Sequence, residues 1–93
     1  MILTGKAKEK FLEWISLNNL FTIEDREKYF NSLSELFQNA LIIEFFDSIE
    51  YNKNSPLWDY CFFDCYWNKG LREYKQATIQ AIKKANDLYN SRL

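Results

Sequence analysis

Apolar positions recur at intervals of three and four through the first seventeen residues. Ala7, Phe11, Trp14 and Ile15 fall on one helical face, while Lys6, Lys8, Lys10 and Glu13 fall mostly on the other. This spacing predicts a helix over about residues 5–17. Thr4 stands where an N-cap belongs, and Asn18-Asn19 suits the helix end.

A second start signal is Thr22-Ile23-Glu24-Asp25, with acid gathered in the first turn. Tyr29, Phe30, Leu33, Leu36, Phe37, Ala40, Leu41 and Phe45 then continue an apolar stripe. One helix over 23–47 would satisfy it. Ser32-Leu33-Ser34-Glu35, however, has the form of a capping box, which predicts a break near Asn31-Ser32. The expectation is a short helix followed by a longer one over about 33–47. Near the end, Ala77, Thr78, Ala81, Ile82, Ala85, Leu88 and Tyr89 again recur at three and four, predicting a C-terminal helix over about 76–91.

Between these helices the pattern changes. Asn52-Lys53-Asn54-Ser55-Pro56 is dense in turn formers, and Leu57 to Trp67 is crowded with aromatic residues that favour strands. Asn68-Lys69-Gly70 then suits a three-residue hairpin loop with Gly70 in the left-handed region. The expected hairpin covers about 57–75, with Leu71 to Tyr74 returning and Ser48 to Tyr51 as an additional strand. A rival reading takes Ser55-Pro56 as N-cap and first helical residue and Gly70 as the residue past a helix end. Residues 56–69 would then be a helix and the protein all-α. Residues four apart sit about 13 Å from each other along a strand and about 6 Å along a helix. A Cys61–Cys65 bridge within one chain, which needs less than about 7 Å between Cα atoms, would therefore exclude the strand. The expected fold class is α+β: N-terminal helices, a small antiparallel sheet and a C-terminal helix, in a single small domain over 1–93.

Charge adds a gradient. Lys6, Lys8 and Lys10 against Glu9 leave residues 1–10 at +2, and Glu35, Glu44, Asp47 and Glu50 set residues 31–51 at −4. Residues 70–93 sum to +3, and the whole chain to −1. A balance so near zero argues against a dedicated binder of duplex nucleic acid. No apolar run is long enough to span a membrane, and Met1 to Lys6 lacks the apolar core of a secretory signal, so a cytoplasmic location is expected.

The opening Leu3-Thr4-Gly5-Lys6-Ala7-Lys8-Glu9 with Phe11 and Trp14 resembles the start of short proteins from phages and prophages of Bacteroides-type bacteria. The closing stretch from Ala77 to Asn90 is similar to how those proteins end, and Phe45-Phe46-Asp47-Ser48 resembles their middle helix, which runs into strands. The resemblance implies an origin and a layout, and carries over no functional residue.

Catalytic chemistry has few candidates. With no histidine, Ser-His-Asp and Cys-His arrangements and ordinary zinc enzymes are excluded, and two glycines make no phosphate loop. Glu44 and Asp47 share a helical face, while Asp59 and Asp64 on a strand would point to opposite faces. Acidic residues on such surfaces are usually solvated. Cys61 and Cys65 lack C-x-x-C spacing and supply only two ligands, so core thiols are expected, with neither metal nor cofactor.

The aromatic segment is the candidate binding surface. Strand alternation would put Asp59, Cys61, Phe63, Cys65 and Trp67 on a core face and Trp58, Tyr60, Phe62, Asp64 and Tyr66 on the other. Seventeen aromatic side chains exceed what so small an interior can absorb. Tyr60, Phe62 and Tyr66 are therefore the expected contact residues of a non-enzymatic protein-binding module, with homodimerisation through the same surface as a variant. The other functional class is single-stranded nucleic-acid binding, with these rings as a stacking platform and Lys69, Arg72 and Lys75 contacting phosphates.

Overall fold

The computed structural model describes residues 1–17, 25–53 and 55–92, with the side chain of residue 92 left aside. The Thr22 helix start and the Asn18-Asn19 helix end lie outside the described residues, as does Asn54. Helix α1 runs Gly5–Leu17, α2 Arg26–Ser32 and α3 Glu35–Asp47. Strands β1 (Glu50–Asn52) and β2 (Ser55–Pro56) form an antiparallel pair. Helix α4 (Leu57–Phe63) leads into a π-helical turn (Asp64–Asn68), and α5 (Tyr74–Arg92) closes the chain.

The break between α2 and α3 falls at Leu33, which is extended at φ −74° and ψ 157°. The cap of α3 is Ser34, whose hydroxyl accepts from the Phe37 N–H at 3.2 Å. Ser32 instead donates to the Tyr29 carbonyl of the preceding helix at 2.6 Å. The expected capping box is thus displaced by two residues. A serine caps only where the backbone turns extended, and here that turn comes after Leu33.

The α+β class holds, with a sheet that is smaller and earlier than expected. Glu50 pairs with Pro56 and Asn52 with Ser55, and the Asn52 side chain accepts from the Ser55 N–H at 3.1 Å to close the turn. The expected hairpin over 57–75 is corrected: residues 57–68 are helical, and Leu71 to Glu73 is a connection into α5. The reason is burial. Alternation would have sunk Phe63 and Trp67, which are 57% and 56% exposed. The helix instead buries Leu57, Trp58, Cys61 and Cys65 as one stripe. Strand propensities of aromatic residues span only about 1 kcal/mol, whereas each large apolar side chain buried stabilises by roughly 1.5–3 kcal/mol.

Termination follows local chemistry. Lys69 N–H donates to the Asp64 carbonyl at 2.9 Å, and Leu71 N–H reaches back to Cys65 at 3.1 Å. This closure is wide because the last turn is π-helical. Gly70 takes φ +72°, which a residue with a Cβ adopts at a cost of about 1 kcal/mol.

The core joins all five α-helices described. Phe11 meets Phe30 edge-on at 5.0 Å and Phe45 at 5.5 Å, and Phe45 contacts Phe46 and Tyr89. Ala77, Ala81 and Ala85 are fully buried at i,i+4 spacing on α5, and such small side chains let neighbouring helices approach closely. Cys61 and Cys65 carry free thiols within this packing.

Candidate aromatic interaction surface

One face of α4 and the π-helical turn carries a ridge of rings. Helical periodicity places residues four apart above one another, so Phe62 lies over Tyr66 and Phe63 over Trp67. The Phe62 and Tyr66 rings stack with centroids 5.6 Å apart, and Phe63 and Trp67 are 6.5 Å apart. Tyr66 meets Trp67 edge-on at 5.1 Å, which joins the two rows. Tyr74, at the start of α5, extends the ridge by contacting Phe62 at 5.6 Å. Phe63, Trp67 and Tyr74 are exposed, and Phe62 and Tyr66 are half-buried beneath them.

Arg72 lies across this ridge. Its guanidinium carbon is 4.7 Å from the Trp67 ring centroid and 5.1 Å from that of Tyr66. Nη1 donates to the Tyr66 carbonyl, which belongs to the last turn of the helical segment. Stacking and hydrogen bonding together hold the cation over the rings without enclosing it in protein.

Tyr60 points elsewhere. Two residues on a helix are separated by about 200°, so Tyr60 cannot share the Phe62 face. It stacks on Tyr51 at 4.5 Å, and Lys84 Nζ lies 5.2 Å from its ring centroid. Lys84 also bonds Asp64 at 2.5 Å. This contact holds the Asp64 carboxyl below its ordinary range, with a further hydrogen bond from Asn68, and raises Lys84 above its own. The structure therefore brings Phe62 and Tyr66 together and places Tyr60 in a separate cluster with Tyr51, Asp64 and Lys84.

The three cations expected to contact phosphates are also dispersed. Lys69 lies 3.9 Å from Asp64, Arg72 covers the ridge, and Lys75 lines a groove between α3 and α5. Phe63, Trp67 and Tyr74 are the ridge residues that strand-based reasoning missed. Their signal was present as the i,i+4 repeats Phe62/Tyr66 and Phe63/Trp67, which are meaningful only on a helix.

Burial pushes the Cys61 thiol up to about 12 and raises Cys65 as well. Thiols so disfavoured as thiolates are poor nucleophiles and poor metal ligands. Among the described residues no group of three or more Cys, Asp or Glu side chains is placed to hold a metal ion, and no helix is long and apolar enough to cross a membrane. Comparison of the chain with protein-family models, with curated proteins and with solved structures returns no match.

Proposed function

We propose that this chain is a non-enzymatic accessory protein that acts in the cytoplasm by binding another protein through the Phe62–Tyr66–Trp67 ridge. One observation carries the reading: exposed Phe63 and Trp67 lie beside half-buried rings, with Arg72 laid over them. Aromatic residues and arginine are the types enriched where protein interfaces concentrate their binding energy. The rings are held against one another, so docking on them requires little further ordering of side chains. A phage or mobile-element origin rests on the resemblance of the two ends and the middle helix to short phage proteins.

The single-stranded nucleic-acid reading draws less support. A stacking platform works with free cations tracking a backbone, whereas Lys69 is beside Asp64 and Lys75 is on another groove. Capture from host lysate followed by cross-linking tests the proposal. The wild-type chain should retain a partner at high salt, and the Phe63→Ser/Trp67→Ser variant should lose it while keeping its circular dichroism. Retention by that folded variant, or salt-steep binding to oligonucleotides in its place, would overturn the reading. Concentration-dependent dimerisation lost in the same variant would identify a second copy as the partner.

A further inference from the structure

The ridge carries opposite charge at its two ends. Asp59 lies one helical turn before Phe63, and Trp67 one turn after it, so the three share a row along α4 and the π-helical turn. Arg72 sits over the Trp67 ring at 4.7 Å and marks the far end of that row. Asp59 and Arg72 are both exposed, and among the described residues neither has an ion-pair partner. Asp64 differs in this respect, since Lys84 and Lys69 already hold it. The Arg72 guanidinium gives one N–H to the Tyr66 carbonyl and keeps the rest of its fork open for a carboxylate.

Phe63, 57% exposed, stands at the midpoint of the row. About 6 Å of helix rise separates it from Asp59 on one side and from Trp67 on the other. An order of acid, ring, ring and base is its own complement when reversed. A two-fold axis passing beside Phe63 would bring the acidic end of one chain onto the basic end of another, twice over, with the rings packed between. We infer that the ridge binds a second copy of this chain, antiparallel about Phe63, with Asp59 of each copy paired to Arg72 of the other. This pairing rests on the proposed role of the ridge as a protein-binding surface and names its occupant. A ridge of this size suits a small, weak interface, with half-association at roughly 100 µM.

Sedimentation velocity of the full chain, from about tenfold below to tenfold above that concentration, tests the pairing. The wild type should pass from monomer to dimer. Asp59→Arg and Arg72→Glu each set like charges against one another, and each should weaken association about tenfold or more while keeping wild-type circular dichroism. Mixed in equal amounts, the two variants should recover wild-type association, because one copy then carries cations at both ends and the other anions. A wild type that stays monomeric throughout, single variants that dimerise as the wild type does, or a mixture that remains monomeric would each overturn the inference. Capture of a host protein that depends on Phe63 and Trp67, beside a monomeric wild type, would keep the ridge as a binding surface and remove only the second copy as its occupant.

Discussion

Asn90 Oδ1 accepts a hydrogen bond from the Ala7 N–H at 2.8 Å, so the first turn of α1 is capped by a side chain from the far end of the protein. Thr4 occupies the expected cap position, but its hydroxyl is engaged as an acceptor from Asn86 Nδ2 at 3.0 Å. Asn86 Oδ1 in turn accepts from the Thr4 N–H at 2.9 Å, and Asn90 Nδ2 donates to the Thr4 carbonyl at 3.0 Å. Two asparagines one turn apart thereby clamp the N-terminal segment to α5. Gly5 fits this arrangement, since at φ +57° a Cβ would lie 3.3 Å from the Asn90 amide.

Replacing Asn90 by Ala should cost about 1–2 kcal/mol, as loss of a helix cap does. Asn86→Ala should cost about as much or more, because Asn86 is buried and its loss strands the Thr4 N–H. Urea unfolding checks both. The two effects should be non-additive, since the asparagines share Thr4 as partner.

The helical assignment of 57–68 predicts unequal costs for its two tryptophans. Trp58→Ala should destabilise by about 3–5 kcal/mol, because Trp58 is buried. Trp67→Ala should change stability by roughly 0.5–1 kcal/mol, the worth of its ring contacts, while impairing partner capture. Thermal denaturation of the two variants separates a helix from a strand, on which Trp67 would have been a core residue.

The Asp64–Lys84 pair predicts a pH window. Asp64 is held below its ordinary 3.8, so its contribution is present above that value and is lost as pH falls through the lowered value. Lys84 is held above its ordinary 10.5, so its contribution is full below that value and is lost as pH rises through the raised one. Asp64→Asn should therefore lower stability at pH 7 by about 1 kcal/mol, a figure reduced by the pair's partial exposure to solvent. The difference from wild type should shrink in acid well below pH 4, as measured by denaturation across pH.

The thiols predict a labelling pattern. A Cys61 thiol raised from 9.0 to about 12 presents roughly a thousandth of the ordinary thiolate at pH 8. A thiol-reactive chromophore should modify neither cysteine appreciably in the native chain, and both rapidly in denaturant. Fast native-state labelling would show that the Cys61/Cys65 face is not sealed.

The amino-acid order by itself determined α1, the division between α2 and α3, and α5, because each carries an apolar stripe of helical period flanked by polar residues. It also marked the turn before Pro56 and the left-handed Gly70, features that depend only on local backbone chemistry. What it left open was the segment from Leu57 to Trp67, where nearly every position is apolar or aromatic and the contrast that reveals a period is weak. Only tertiary packing resolved it: the core between α3 and α5 receives Leu57, Trp58, Cys61 and Cys65, four side chains that a helix can bury together and a strand cannot. The same choice gathered Phe62, Phe63, Tyr66 and Trp67 into a ridge under Arg72 and sent Tyr60 to Lys84. A surface of this kind depends on rotation about a helix axis, and that rotation is decided by what lies on the other side of the helix.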